Sequence, residues 1–218
     1  MTQPLSTHLV ETYQRDGVVI LKGLVSPETI ANLATGVEKN LAAPGPWANE
    51  YTPTGASGRF FDDYVNWQRI EEFARAATTG PIPAAARALM GSKVARLFHE
   101  HVLVKEAETR EVTPWHHDDP YYGIDGMDNV SIWIPLDPIP DSVALRFIPG
   151  SHRWNARYIP RRFADQSAYV EAAHDFVHLP SPEELERQAT VSTPVEIGDA
   201  VAFHYRTLHR SEEHTSEL

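Results

Sequence analysis

A histidine and an aspartate stand two positions apart in the segment TPWHHDDPYY, residues 113–122. In an extended strand, side chains two positions apart lie on the same face. His116 and Asp118 can therefore both point at one ion, one as a neutral imidazole and one as a carboxylate, which suits a divalent metal of intermediate hardness. A second pair with the same spacing, His117 and Asp119, faces the opposite way. The spacing alone does not choose between the two pairs.

The remaining ligand of such a metal site must come from another part of the chain. The sequence has no cysteine, which excludes zinc-thiolate sites, iron–sulfur clusters and thiol nucleophiles. Two histidines and one carboxylate on one face of an octahedral ion leave three adjacent positions for a cosubstrate and dioxygen, as in non-haem iron oxygenases. Two alternatives remain open at this point. One is a zinc hydrolase with the same ligands, and the other is a protein that binds a metal or small ligand without catalysis.

The overall charge restricts the partners that we expect. Nineteen Lys and Arg residues against thirty Asp and Glu residues give a formal net charge of −11, which repels nucleic acid and anionic lipid surfaces. The N-terminal residues lack a basic segment followed by an apolar one, and the sequence contains no run of about 18 apolar residues. We therefore expect a cytoplasmic protein that binds neither nucleic acid nor membranes.

The first half of the sequence has mainly helical patterns. Apolar spacing and capping residues predict helices over residues 6–16 and from Ser26 onward, with a strand over residues 18–21 between them. Residues 42–66 are rich in Pro, Gly, Asn and Asp and are predicted to form a long loop. Two shorter helices are predicted over residues 69–78 and 83–90.

The second half is predicted to be rich in β-strands. The predicted strands cover residues 94–105, 130–136, 144–148 and 195–203, and Ser181 with Glu184 predicts the capped start of a helix. A chain of 218 residues suits one hydrophobic core. Helices followed by many short strands predict a mainly β fold with flanking helices: a double-stranded β-helix (jelly-roll, cupin-like) barrel with an N-terminal helical layer.

Several segments resemble one family in the family's own order. TPWHHDDPYY resembles the metal-binding segment of the phytanoyl-CoA dioxygenase family, which usually has a Trp-His-Gln-Asp run followed by an aromatic pair. The other matching segments are RDGVVILKGLVSPETI, FHEHVLVKEAE, SIWIPLDPIPDSVALRFIPGSHRW and IGDAVAFHYRTLH. The resemblance spans nearly the whole chain.

This resemblance implies an Fe(II)- and 2-oxoglutarate-dependent oxygenase. It selects His116 and Asp118 as ligands, places His117 where the family commonly has Gln, and makes His209 the third ligand. His204 is the rival for that third position. Related halogenases have a small residue at the position of Asp118, so the carboxylate favours hydroxylation of a small-molecule substrate with O2. The sequence does not identify the substrate or the oligomeric state.

The resemblance also implies roles around the metal. Trp133 matches a position beside 2-oxoglutarate, and Lys105 matches a frequent lysine near the site, so both are predicted to contact the cosubstrate. Tyr121 and Tyr122 are candidates for the substrate mouth or for the core. A structural role is predicted for His152 in the turn PGSH.

The last nine residues, RSEEHTSEL, contain one apolar residue and do not alternate as a barrel strand would. The same peptide is the first-frame translation of a common sequencing-library adapter. Family members continue past the distal histidine to a strand carrying an arginine for the far carboxylate of 2-oxoglutarate, and Arg210 is too close to His209 for that role. We therefore expect a single domain over residues 1–209 that lacks its C-terminal strand, and a non-native tail over residues 210–218. An inactive fragment of the oxygenase is a further alternative.

Overall fold

The structure, a computed structural model, describes residues 4–52, 55, 58–106, 113–160 and 176–211. The helices are α1 Thr7–Asp16, α2 Pro27–Ala42, α3 Glu71–Thr78, α4 Pro81–Met90 and α5 Pro182–Glu186. The first four agree with the predicted helices to within two or three residues. The predicted capping box starts α5, where Ser181 and Glu184 exchange side-chain and backbone hydrogen bonds.

The strands are short and form three antiparallel sheets and one parallel pair. They are β1 Val18–Leu21, β2 Asn49–Glu50, β3 Phe60–Tyr64, β4 His101–Lys105, β5 Ser131–Trp133, β6 Arg146–Phe147, β7 Arg157–Tyr158, β8 Phe176–Val177, β9 Val191–Ser192, β10 Ala200–Phe203 and β11 His209–Arg210. The antiparallel sheets have the orders β1-β10-β5, β11-β6-β9 and β2-β3-β4, and β7 pairs with β8 in parallel.

The β1-β10-β5 sheet separates two packed layers because its side chains alternate between faces. One face packs against α1 and α4 through Val19, Leu21, Ala200, Ala202, Tyr13, Ala85 and Leu89. The opposite face carries Val18, Val201 and Phe203, which pack with Phe147 of β6 and with Trp133. The helices therefore cover the outside of the sheet, and the inner face points toward β11.

Gly17 joins this helical layer to the chain segment between β10 and β11. It ends α1 with a φ of 73°, and its carbonyl accepts hydrogen bonds from the His204 N–H and from the Thr207 hydroxyl, both at 2.8 Å. A Cβ atom at this position would lie 2.3 Å from His152 Nδ1 and 2.4 Å from Thr207 Oγ1. Glycine is required both for the left-handed backbone and for this close approach.

The predicted loop over residues 42–66 was wrong in part, because it contains β2 and β3. Strand β3 has the sequence FFDDY, and aspartate is depleted in strands, so the pattern did not indicate one. Its aspartates are buried with partners: Asp63 accepts hydrogen bonds from Asn40 Nδ2 at 2.7 Å and from the Gly45 N–H at 2.6 Å. Tertiary hydrogen bonds thus allow these carboxylates inside a sheet.

Several strands are shorter than predicted. Of residues 94–105, only the last five form β4, and 94–100 are irregular. At the C-terminal end, Arg210 pairs with Arg146, and the Ser211 N–H donates to the Thr113 carbonyl at 3.1 Å. Residues 212–218 of the predicted tail lie outside the described residues. Within the described part of the chain, no helix combines the length and the apolar character needed to cross a membrane.

Candidate metal centre

His116, Asp118 and His209 converge in the structure, with one potential ligand atom from each lying within 4.8 Å of the others. Asp118 Oδ1 is 3.6 Å from His116 Nε2 and 3.7 Å from His209 Nε2. Metal–ligand bonds to imidazole and carboxylate are about 2.0–2.2 Å long. A small inward movement of the side chains would therefore bring all three donors onto one ion. The structure brings together the three ligands predicted from the sequence.

Backbone pairing places the two histidines side by side. The N–H of His116 donates to the carbonyl of His209 at 3.0 Å, and the reverse bond is 2.9 Å long. The Nδ1–H of His116 donates to the Pro114 carbonyl, and that of His209 donates to the Thr207 carbonyl, each at 2.9 Å. Such a bond fixes the ring tautomer and leaves the lone pair on Nε2. Both Nε2 atoms are therefore the available donors at this centre.

Asp118 reaches the centre from a turn, so the predicted extended geometry of the His-x-Asp pair was wrong. His116 forms a single β-bridge, but Asp118 has φ −79° and ψ −21° and precedes a 3-10 turn, Asp119–Tyr121. The N–H of Asp118 donates to the Tyr205 carbonyl at 2.7 Å. The Tyr122 hydroxyl is hydrogen-bonded to the carboxyl group of Asp118.

Burial favours the neutral form of both histidines of the triad. It lowers the pKa of His116 to about 4, with a further contribution from His209, and it also lowers the pKa of His209 to about 4. Burial raises the pKa of Asp118, although the hydrogen bond from Tyr122 works in the opposite direction. A buried carboxylate without a cation is unfavourable. Two neutral imidazoles and this carboxylate therefore fit a divalent cation.

The second pair, His117 and Asp119, faces away from the centre and has structural partners. His117 is almost fully buried, and its Nε2 accepts a hydrogen bond from the Tyr158 N–H at 3.0 Å. Asp119 is fully buried and receives Arg157 Nε at 2.6 Å and Arg206 Nε at 3.2 Å. Neither His117 nor Asp119 belongs to the group of described residues whose donor atoms converge, and this geometry supports the register that the family resemblance indicated.

The two other histidines considered from the sequence do not join the triad. His204 Nε2 lies 3.1 Å from the Met127 carbonyl, and its Nδ1 accepts the Arg206 N–H at 3.1 Å. His152 packs beside the His204 ring, with 5.2 Å between centroids, and its Nε2 lies 3.3 Å from the Gln14 carbonyl. Both rings help to hold the chain segment between β10 and β11 against α1.

Trp133 lies on the inner face of its sheet, and Lys105 lies on the face of β4 that points away from the helical layer. Trp133 belongs to the apolar cluster of Phe147 and Phe203, whose rings lie 5.4 and 4.9 Å from the His209 ring. Lys105 shares the face of β4 that carries His101. His101 is close enough to Asp118 for its charge to lower the pKa of that carboxyl group. Both residues therefore lie on surfaces that lead to the metal ligands, and contact with a cosubstrate remains a prediction.

No strong signal in the sequence identifies Tyr122 as the hydrogen-bond partner of Asp118. Its position shortly after the His-x-Asp motif was noted, but a tyrosine there fits the core or the substrate mouth equally well. The 3-10 turn returns the chain toward Asp118, so the contact depends on a local conformation that periodicity does not indicate.

We predict that the metal-free protein loses stability steeply on acidification. Burial lowers the pKa of His116, His117, His204 and His209 to about 4. Between about pH 6.5 and 4 the unfolded chain therefore binds more protons, so the free energy of unfolding falls as the pH drops. Thermal unfolding from pH 7.5 to 4.5 should show this fall. His117→Gln should make it less steep, and a midpoint independent of pH would contradict the prediction.

The family model for phytanoyl-CoA dioxygenase matches residues 13–218. Ectoine dioxygenase from Bordetella bronchiseptica is 25% identical to this chain over 97% of it and 71% of the relative. SnoK, a non-heme alpha ketoglutarate dependent carbocyclase from nogalamycin biosynthesis, aligns with a TM-score of 0.76 and 23% identity over 100% of this chain and 83% of its own.

A second solved structure is the epimerase SnoN, crystallised in complex with Fe3+, alpha ketoglutarate and nogalamycin RO. It aligns with a TM-score of 0.70 and 23% identity over 97% of this chain and 78% of its own. These structural likenesses confirm the predicted jelly-roll fold.

Proposed function

This chain belongs to the phytanoyl-CoA dioxygenase family, and on that basis we propose that it hydroxylates a small molecule with Fe(II), 2-oxoglutarate and O2, releasing succinate and CO2. The observation that carries the proposal is the convergence of His116, Asp118 and His209, whose donor atoms lie within 4.8 Å of one another. Two imidazoles and one carboxylate with open positions are typical of non-haem Fe(II) oxygenases.

The relatives support the choice of iron and 2-oxoglutarate over other cofactors. SnoN was crystallised with Fe3+ and alpha ketoglutarate. Bound Fe(II) would supply the electrons that couple oxidative decarboxylation of 2-oxoglutarate to insertion of one oxygen atom into a substrate C–H bond.

The protein side chains would hold the reactants in place. The carbonyl partners of His116 and His209 keep both Nε2 lone pairs directed at the ion, and Tyr122 orients the carboxylate of Asp118. We assign Trp133 to the wall beside 2-oxoglutarate, because it packs with the phenylalanines that flank His209. Lys105 would offer a charge-assisted hydrogen bond to the far carboxylate of 2-oxoglutarate.

The proposal predicts turnover that depends on both iron and oxygen. Protein reconstituted without oxygen with Fe(II) and given 2-oxoglutarate should form succinate on exposure to air, with O2 uptake in step, and a hydroxylated product appears once a substrate is supplied. Zn(II) should compete with Fe(II) for the triad and stop the reaction, because it cannot reduce O2.

The same assay separates the alternative functions. Product formed under zinc without oxygen would support a hydrolase and overturn the proposal. A protein that binds the metal but forms no succinate under any of these conditions would support a non-catalytic jelly roll. His117→Gln provides a control that leaves the three ligands in place.

A further inference from the structure

An unbroken series of aromatic and imidazole rings leads from the metal centre to the surface. The ring platform consists of Trp47, Tyr64, Phe98, His99, His101 and Tyr122. We propose that the ring platform binds the substrate, and that the substrate is a flat molecule of several fused or linked rings without a large negative charge. This inference rests on the proposed function, because it identifies the substrate class of the same site.

The platform begins at a metal ligand. The Tyr122 hydroxyl is hydrogen-bonded to Asp118, and the Tyr122 ring lies 5.0 Å from His99 and 5.6 Å from Phe98. Any substrate of the triad must lie close to Asp118, so the rings that extend from this residue offer it an apolar surface next to the metal centre.

The platform ends in solvent. The His99 ring lies 5.8 Å from Tyr64, and Tyr64 is stacked with Trp47 at 6.5 Å with 10° between the ring planes. Trp47 is 56% exposed and Phe98 is 49% exposed. Exposed aromatic rings that form one connected surface usually mark a binding site rather than a core.

Strand geometry explains why Tyr64 and His101 share one side of the β2-β3-β4 sheet. Tyr64 of β3 pairs with His101 of β4. Their neighbours Val102 and Val104 face the other way and pack against the helices with Ile70 and Phe73. The platform side is therefore the face that the helical layer leaves uncovered.

The dimensions of the platform favour an extended ring system. Three successive ring-to-ring distances of 5.0, 5.8 and 6.5 Å separate Tyr122 from Trp47. A single six-membered ring would span only one of these intervals. A flat molecule of several rings could stack on one platform ring and meet the edges of the next, because His99 is inclined by 83° to Tyr122 and by 39° to Tyr64.

The charges beside the platform disfavour a polyanionic substrate such as an acyl-CoA. On the same face, Asp62 interacts with His101 Nε2 at 3.2 Å and receives Asn49 Nδ2 at 2.9 Å. Glu100 accepts hydrogen bonds from the backbone at the edge of the platform, including the Trp67 N–H at 3.0 Å. Two carboxylates in this position repel phosphate groups, and the net charge of −11 acts in the same direction.

The test uses 1-pyrenemethanol, a neutral and fluorescent four-ring probe, with metal-free protein. Fluorescence anisotropy should show saturable binding that palmitoyl-CoA and 1-dodecanol displace poorly. Trp47→Ala and Phe98→Ala should each weaken binding roughly 3- to 10-fold, the range expected for the loss of one stacking contact. Trp47→Phe should restore most of the affinity. Ile197→Ala, which removes an exposed apolar side chain outside the platform, is the matched control.

Three results would overturn the inference: unchanged affinity in both alanine variants, an equal loss in Ile197→Ala, or efficient displacement of the probe by palmitoyl-CoA or 1-dodecanol. Both test residues are exposed, and circular dichroism melting confirms that the variants are folded. Because the assay needs neither iron nor 2-oxoglutarate, failure of the proposed oxygenase activity would not change its outcome.

Discussion

We expect that replacing Asp118 with alanine abolishes metal retention and turnover while leaving the metal-free protein folded. The remaining ligands, His116 and His209, cannot hold Fe(II) in a three-point arrangement. Loss of a partner outside the coordination sphere already costs roughly 10- to 100-fold in metal affinity or activity. Loss of a ligand should therefore cost more than about 100-fold in both. Anaerobic Fe(II) titration and succinate formation measure the two effects, and His116→Ala should behave in the same way.

We also expect a specific effect of Asp118→Ala on the free energy of unfolding. Burial raises the pKa of Asp118, so the folded metal-free protein disfavours the charged carboxylate near neutral pH. Removing it should leave the free energy of unfolding unchanged or higher. His117→Gln should retain the metal, because His117 Nε2 accepts the Tyr158 N–H and His117 is not one of the three converging residues. If His117→Ala and Asp119→Ala removed the metal while Asp118→Ala kept it, the assigned ligand pair would be wrong.

Replacing Asp119 with alanine is expected to have the opposite effect on stability from Asp118→Ala: the free energy of unfolding should fall by a large amount. Asp119 is fully buried between Arg157 Nε at 2.6 Å and Arg206 Nε at 3.2 Å. Burial alone would raise the pKa of Asp119, but the hydrogen bond from Arg157 and the charge of Arg206 outweigh it and lower the pKa. Alanine removes the carboxylate that Arg157 and Arg206 share and leaves Arg206 only the exposed Asp125 at 3.8 Å. Breaking a buried ion pair in this way typically costs about 3–5 kcal/mol.

Urea unfolding of metal-free protein measures this loss. Asp119→Asn keeps the shape of the side chain and removes its charge, so its effect should be smaller. A double-mutant cycle with Arg157→Ala should give a coupling energy of about 1 kcal/mol or more, because the two side chains are in direct contact. A loss below about 1 kcal/mol for Asp119→Ala would show that the pair contributes little. Metal binding by the folded fraction of the variant tests whether the neighbouring turn still presents Asp118.

The candidate ligands could be named from the sequence because metal binding restricts residue type, and the structure brings their donor atoms together, while their binding of a metal stays a prediction. Only histidine and carboxylate remained in a chain without cysteine, and their family order selected His116, Asp118 and His209. The backbone conformation between His116 and Asp118 could not be predicted. Pro120 lies in the first turn of a 3-10 segment, so Asp118 meets the histidines from a turn instead of a strand.

Other features depend on contacts between distant parts of the chain. Strand β3 was predicted as loop because its two aspartates are unfavourable in strands, yet Asn40 Nδ2 is hydrogen-bonded to Asp63 across 23 positions in sequence. Trp47 lies in the same predicted loop. Its stacking on Tyr64 follows from the β2-β3 pairing. The helices were predicted well because their caps and apolar spacing are local signals.

The most direct test of the central claim is a crystal structure of protein reconstituted without oxygen with Fe(II) and 2-oxoglutarate, with anomalous diffraction measured at the iron edge. We predict one anomalous peak about 2.0–2.2 Å from His116 Nε2, an Asp118 carboxylate oxygen and His209 Nε2. Density for 2-oxoglutarate should fill the adjoining open positions. A peak beside His117 and Asp119, or no peak at the triad in fully reconstituted protein, would contradict it.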